Sequence, residues 1–218
     1  MGSNTIEYAT WAQQVEAFEP TVDTYEMLQQ NIAWNQQNTP QGRYYDLRSQ
    51  CYGHWPDHPD GWFRTDQGFA SLAITGAITT HNKALGDTAG QAYLNRHAED
   101  LANYITPVNH ILEIAAETVA VSTIDSYGWQ DVDVIKIDVE GREWCVVQGA
   151  INTITHSRPV VQVEMWGWER RFGINNQHML DWFRTQGYRY TNNRGEDLPW
   201  HATGRIPRTM DRFFVPCN

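Results

Sequence analysis

Four acidic residues stand where predicted strands end, and the ends of strands are places where side chains can reach a ligand. Glu19 follows the apolar segment Val15–Phe18, Asp138 and Glu140 lie at the end of a longer one, and Glu164 closes a third. Carboxylates suit two kinds of chemistry there: they accept hydrogen bonds from sugar hydroxyls, and they remove a proton as a general base. For Glu19 alone, a solvated strand end is an equally good explanation.

The strongest predicted strand is Val132–Val139, which is rich in branched apolar residues, as a strand covered on both faces of a sheet must be. Because side chains alternate along a strand, Lys136, Asp138 and Glu140 share one side of it. A charged group on a covered strand is costly unless it is paired or solvated. Two interpretations stay open: Lys136 forms an internal pair with a carboxylate, or Asp138 faces a ligand at the rim.

Strands alternate with amphipathic helices along the chain, which predicts an α/β fold with a mostly parallel sheet and helices on both sides. The first helix is expected from apolar residues at helical spacing: Val22, Tyr25, Leu28 and Ile32. The second, after Gly141, is expected to place on one face Trp144, Val147, Ile151 and Ile154. A third contains Met179 and ends at Gly187. The other strands are expected at Ala73–Thr80, Gly90–Leu94, Thr118–Thr123, Pro159–Glu164, Tyr188–Tyr190 and Phe213–Val215.

The length of 218 residues fits one α/β domain, and we expect residues 1–218 to form it. Within that domain, Gln36–Phe69 breaks the periodic pattern and is rich in Gln, Asn, Gly, Pro, Asp and aromatic residues. Long loops in compact domains are often functional. We therefore expect this segment to be an inserted loop or lid over the face that carries Asp138.

Composition argues against several classes of protein. The formal net charge of -10 disfavours a nucleic-acid partner, because phosphate binding requires clustered Lys and Arg. The sequence has no long uninterrupted apolar stretch and no visible signal peptide, so no membrane association is expected. Cys51, Cys145 and Cys217 are not closely spaced, which argues against a disulfide framework and favours a reducing, cytoplasmic location.

Two weaker patterns leave alternatives open. The segment His54–Asp60 holds His and Asp side chains that suit zinc or manganese, but its prolines favour a rigid surface turn, and we predict no metal site. The ten tryptophans are either core and pocket aromatics or part of a carbohydrate-binding surface. A non-catalytic carbohydrate-binding module is therefore an alternative to an enzyme.

Four segments of the chain, in order, resemble the motifs of the FkbM family of methyltransferases. They are Ala17–Pro20, Asn82–Asp87, Val121–Asp125 continued by Val132–Gly141, Glu143 and Gly149-Ala150, and Arg158–Glu164. No single motif is decisive, but their shared order makes the resemblance specific.

The resemblance implies a Rossmann-like class I fold, S-adenosyl-L-methionine as the methyl donor, and O-methylation of a hydroxyl on a sugar, glycan or natural product. By position, Glu19 would bind the ribose of the cofactor, and Asn82 and Ala84 would lie near its adenine. Asp138 would lie near the methionine end and the acceptor. The acceptor is then a small molecule or glycan, with the oligomeric state left open; a degenerate methyltransferase-like module is the alternative.

The resemblance also bears on the base that takes the proton of the acceptor hydroxyl. Our order of preference is Asp138, then Glu140, then Glu164. At the other end of the chain, Gly2, Ser3 and Asn4 stand where the family has a Gly-Ala-Asn-like loop that holds the cofactor. Because only one residue precedes them, we expect the family's first strand to be missing. Either the chain is truncated there, or the sheet closes differently.

Overall fold

A computed structural model describes residues 3–38, 74–95, 104–107, 116–165, 172–201 and 211–217 of the chain. The chain divides into two compact units, Met1–Lys83 and Ala84–Asn218. That all of it forms one domain stays a prediction. Residues 36–38 form the end of a helix, and the rest of the predicted loop or lid at Gln36–Phe69 lies outside the described residues, so that it stays a prediction.

The first unit contains two helices and two strands: α1 (Ser3–Tyr8), β1 (Gln14–Phe18), α2 (Val22–Asn38) and β2 (Ala77–His81). β1 and β2 run parallel, with Phe18 opposite His81. The core of this unit is a small cluster of buried apolar side chains: Ile6, Ala17, Leu28 and Ile32.

The buried face of α2 differs from the predicted one at its beginning. Leu28 and Ile32 are buried as expected, whereas Val22 is 39% exposed. The face that packs inward includes Thr24, which continues to Leu28 and Ile32 at intervals of four residues. Val22 is the first helical residue and lies off that line.

The second unit contains two four-stranded sheets. The first sheet has the order β3-β6-β4-β5 and consists of β3 (Ala84–Leu85), β4 (Gly90–Asn95), β5 (Tyr104–Pro107) and β6 (Ala116–Ser122). The second has the order β7-β8-β10-β9 and consists of β7 (Val134–Ile137), β8 (Val160–Glu164), β9 (Tyr188–Thr191) and β10 (Asp211–Pro216). In each of them the first two strands are parallel and the other neighbours antiparallel.

The prediction of one mostly parallel sheet is not confirmed. Val134 and Val161 do lie in parallel strands of one sheet, as expected, but β1 pairs with β2 in a separate sheet. The described strands make parallel pairs at β1–β2, β3–β6 and β7–β8, and antiparallel pairs elsewhere. A parallel pair requires a crossover, usually a helix, whereas β9 and β10 follow one another with no helix between them among the described residues.

The strongest predicted strand and the helix after it are both shorter than expected. The strand spans only Val134–Ile137, and the single expected helix is two: α3 (Glu143–Gln148) and α4 (Ile151–Ser157). Ile151 is 36% exposed rather than buried, because the break after α3 turns it out of the expected face. α5 (Asn176–Thr185) ends as predicted, with Gly187 in a left-handed conformation at φ 70°.

The main core packs these helices against the second sheet of the unit. Phe183 of α5 stacks on Phe214 of β10 with ring centroids 3.9 Å apart, and both are fully buried. Val147 of α3 and Ile154 of α4 are also fully buried in this cluster. Burying a side chain of this size stabilises the fold by about 1.5–3 kcal/mol.

Cys145 is buried and Cys217 is exposed, and both are free thiols, while Cys51 lies outside the described residues. Across the described part of the chain, no helix has the length and apolar character needed to cross a membrane.

Candidate functional site

The parallel pair β7–β8 brings three of the predicted acids together. Ile137 lies opposite Val163 in the register, so the next residues, Asp138 and Glu164, lie side by side at the carboxyl end of the two strands. One carboxylate oxygen from each of Asp138, Glu140 and Glu164 lies within 4.8 Å of the others. We call these three residues the carboxylate cluster. All three were predicted as catalytic candidates from their positions at strand ends.

Lys136 neutralises part of the charge of this cluster. Its Nζ lies 2.9 Å from Oδ2 of Asp138, and the two side chains share one side of β7 and the turn that follows it. The lysine is 16% exposed and the aspartate 39% exposed. The predicted pair between Lys136 and a carboxylate is therefore present. Asp138 is nevertheless partly exposed at the rim of the sheet.

Opposing effects act on the pKa of Asp138. Partial burial raises this pKa, whereas the hydrogen bond with Glu164 and the positive charge of Lys136 lower it, and the lowering effects prevail. The lowered pKa favours the deprotonated form of Asp138, which is the form that can accept a proton. The order of preference among the three acids stays a prediction.

A tight turn holds the third member of the cluster in place. Glu140 has φ 57° and Gly141 has φ 105°, both in the left-handed region that L side chains avoid. The N–H of Gly141 donates to Oε1 of Glu143 at 2.8 Å, and Glu143 is only 3% exposed. Glu143 was matched as part of a motif, but its role as the acceptor inside this turn was missed. A Glu in the first turn of a helix, two residues after a Gly, is the signal that could have shown it.

The carboxylate cluster is the group of described residues that could hold a metal ion. Carboxylate oxygens are ligands that hard cations such as Mg²⁺ and Ca²⁺ prefer. The ammonium group of Lys136 already supplies a counter-charge at 2.9 Å, so the cluster does not require a cation to be stable. The histidines of the other metal candidate, His54–Asp60, lie outside the described residues.

Glu19 and Asn82 are adjacent at the carboxyl end of the parallel pair β1–β2. Glu19 donates its N–H to the carbonyl of His81 at 3.0 Å, and its Oε1 accepts from the N–H of Thr21 at 2.8 Å. Nδ2 of Asn82 donates to the carbonyls of Glu19 at 2.9 Å and Pro20 at 3.2 Å. These two predicted cofactor-binding residues are therefore joined by a hydrogen bond.

Burial raises the pKa of Glu19 above its usual value, and the hydrogen bonds from Thr21 only partly oppose this. A half-buried carboxylate is stabilised by further donors, and two neighbouring sugar hydroxyls would supply them. The acceptor oxygens of Glu19 thus suit the two neighbouring hydroxyls of a ribose. The prediction that Glu19 and Asp138 line one cleft stays a prediction, since each belongs to its own compact unit.

The structure does not support a cofactor loop at the beginning of the chain. Ser3 and Asn4 begin helix α1 rather than forming a loop, and Gly2 lies outside the described residues. The physical reason is that Ile6 must be buried, and a helical turn carries it into the core of its unit. The side chain of Ala84 is 2% exposed and packs in a cluster with Leu94, and its place near the adenine stays a prediction.

Two motif residues have structural roles that the sequence did not indicate. Asp125 caps α4: its Oδ2 accepts from the N–H of Asn152 at 3.0 Å, and its Oδ1 accepts from the N–H and Oγ1 of Thr153, each at 2.8 Å. Gly149 lies against Gly86, where a β-carbon would come within 2.0 Å of the Gly86 carbonyl oxygen. The motifs around these residues therefore hold the second unit together.

The comparison with known families agrees with these motifs. The FkbM methyltransferase domain matches residues 2–190, so the chain belongs to the FkbM methyltransferase family. A crystal structure of the methyltransferase FkbM from Methylobacillus flagellatus KT is similar, with 16% identity and a TM-score of 0.45. That alignment covers 93% of this chain and 36% of the other, so the chain spans about a third of that protein's length. No curated protein matches the chain.

Proposed function

We propose that this protein transfers a methyl group from S-adenosyl-L-methionine to a hydroxyl group of a sugar, glycan or other natural product. The observation that carries the proposal is the carboxylate cluster at the end of β7 and β8, with Asp138 at the rim and 2.9 Å from Lys136. Membership of the FkbM methyltransferase family supports methyl transfer. We further propose a Rossmann-like arrangement for this fold and a cytoplasmic location.

The cofactor, when bound, supplies an activated methyl group. The task of the chain is to hold the acceptor oxygen in line with that methyl and to take its proton. Asp138 is our candidate for the proton acceptor, because it lies at the rim of the sheet and its lowered pKa keeps it deprotonated. A lowered pKa makes Asp138 a weak base, so we assign much of the rate to orientation.

Glu19 and Asn82 would hold the ribose and adenine side of the cofactor. Glu19 is half-buried, and its side chain is fixed by Thr21, so it presents its acceptor oxygens without further ordering. The side chain of Asn82 holds the backbone of Glu19 and Pro20 by donating hydrogen bonds to both carbonyl groups. A fixed acceptor binds more tightly than a mobile one, because less side-chain entropy is lost on binding.

The proposal is tested with cofactor carrying a labelled methyl group and a panel of glycans and small molecules that bear free hydroxyls. We expect label in at least one acceptor, and Asp138→Asn should lower kcat at least tenfold while changing S-adenosylhomocysteine affinity less than threefold, as expected for a group that acts in the transition state. Equal losses of kcat and affinity would remove Asp138 from the chemistry. No label in any acceptor, together with no cofactor binding, would contradict the function itself.

A further inference from the structure

The second unit has an open groove of about 670 Å³ whose walls come from two segments. One wall follows the 3₁₀ turn Ile124–Tyr127 and contains Trp129 and Gln130; the other is the outer face of α4. The volume is within the usual range for sites that bind small ligands, roughly 300–1,000 Å³. This groove is separate in the fold from the carboxylate cluster.

The two walls are fixed to one another by hydrogen bonds. Asp125 joins the 3₁₀ turn to the beginning of α4 through Asn152 and Thr153. At the other end of α4, Oγ of Ser157 donates to the carbonyl of Gln130 at 2.9 Å. The groove is therefore preformed, and a ligand would not have to order its walls on binding.

The groove lies where β7 and β8 begin, whereas the carboxylate cluster lies where these two strands end. Trp129 and Gln130 precede β7, and α4 precedes β8, whereas Asp138 follows β7 and Glu164 is the last residue of β8. β7 has four residues, so at roughly 3.3 Å per residue its two ends are about 13 Å apart. One small acceptor cannot occupy both places.

The side chains in the groove match a neutral, hydroxyl-rich ligand. The indole of Trp129, which stacks on Tyr127 with ring centroids 4.6 Å apart and packs against the core, is partly exposed in the lining. Asn152, Thr155 and His156 are exposed and offer amide, hydroxyl and imidazole groups. Among the residues that the structure describes, the lining contains no Lys or Arg, and both carboxylate oxygens of its acid, Asp125, already accept hydrogen bonds. Phosphate and other anions therefore find no Lys or Arg among these side chains. A saccharide fits this set, because its ring C–H face suits an aromatic ring and its hydroxyls both donate and accept.

We propose that this groove is a binding site for a neutral saccharide, distinct from the proposed methyl-transfer site. Because it is independent of the cofactor, it does not depend on the proposed function. It would retain a glycan on the protein whether or not that glycan is methylated.

The test is calorimetry of the full chain with neutral tetrasaccharides of glucose, mannose, galactose and N-acetylglucosamine, with heparin as a charged control. We expect at least one neutral probe to bind and heparin not to bind. The variant Asn152→Ala/His156→Ala removes two exposed side chains of the groove and should weaken binding about tenfold or more. Asn193→Ala, exposed in the same unit and outside the groove, should bind as the parent does.

S-Adenosylhomocysteine binding is measured on the same samples and should be equal in all of them, so that loss of the groove and failure of the proposed function are distinguished. Thermal melting confirms that the variants are folded. The proposal is overturned if no neutral probe binds at about 10 mM, a concentration that would reveal even a weak interaction of Kd about 1 mM. It is equally overturned if heparin alone binds or if the double variant binds as tightly as the parent.

Discussion

Gly149 and Gly86 meet backbone to backbone: a β-carbon on Gly149 would lie 2.0 Å from the carbonyl oxygen of Gly86. Gly86 follows β3, and Gly149 separates α3 from α4, so two distant motifs of the chain are in direct contact. The same junction is tied by a hydrogen bond from the N–H of Asp125 to the carbonyl of Gly149 at 2.9 Å. This contact explains why the single helix expected after Gly141 is interrupted.

Gly149→Ala should therefore destabilise the fold. The φ of Gly149 is -79°, which alanine adopts without strain, so the cost comes from the contact with the Gly86 backbone alone. We expect a loss of about 1–3 kcal/mol in the free energy of unfolding, measured by urea denaturation. Gly90→Ala is the matched control, because a β-carbon there meets nothing within 4 Å, and it should change stability by about 0.5 kcal/mol at most. Equal stability of the two variants would refute the close contact.

Asp125→Ala should destabilise the fold through the loss of the cap on α4. The substitution removes the acceptor of two backbone N–H groups, those of Asn152 and Thr153. Loss of such a cap costs about 1–2 kcal/mol. The control is Asp131→Ala, which removes an exposed carboxylate from the loop before β7. If thermal and urea denaturation show that both variants are as stable as the parent, Asp125 does not cap α4.

The sequence predicted most strands of the fold correctly, and it did so because burial leaves a clear pattern. The strands at Val15–Phe18, Gly90–Leu94 and Tyr188–Tyr190 all lie within a residue or two of their predicted bounds. How the strands pair could not be predicted, because partner and direction depend on residues far apart in the chain. β10 shows this: it is antiparallel to both β8 and β9, and its own residues contain no sign of either neighbour.

The sequence also predicted part of the candidate site, because the ends of strands and the alternation of their side chains can be seen in it. Strand ends identified Asp138 and Glu164, and the alternation of side chains identified the pair with Lys136. The left-handed turn at Glu140 could not be foreseen, because a non-glycine residue adopts that conformation only where the surrounding structure imposes it. The groove beside Trp129 was missed because its two walls are far apart in the sequence.

Lys136→Met should change the pH dependence of methyl transfer. Lys136 lowers the pKa of Asp138, so Asp138 is deprotonated, and able to act as a base, at pH values below the usual range for an aspartate. Activity of the parent should therefore fall only as the pH drops through that lowered pKa. Without the ammonium group the pKa rises, and the acidic limb of kcat should move to higher pH.

The matched control is Arg194→Met, which removes an exposed positive charge from the same unit without touching Asp138. Its acidic limb should coincide with that of the parent. An acidic limb that stays in place in Lys136→Met would show that Asp138 is not the group whose protonation stops the reaction.

The measurement that tests the account most directly is calorimetry of S-adenosylhomocysteine binding to the parent and to Glu19→Gln, with exposed Glu26→Gln as control. The substitution keeps the size of the Glu19 side chain and removes its charge. A hydrogen bond to a charged group contributes about 1.5–3 kcal/mol, so affinity should fall roughly ten- to a hundred-fold. The parent and Glu26→Gln should bind equally. A parent that does not bind S-adenosylhomocysteine, or a folded Glu19→Gln variant that binds it as tightly as the parent, would contradict the proposed cofactor site at Glu19.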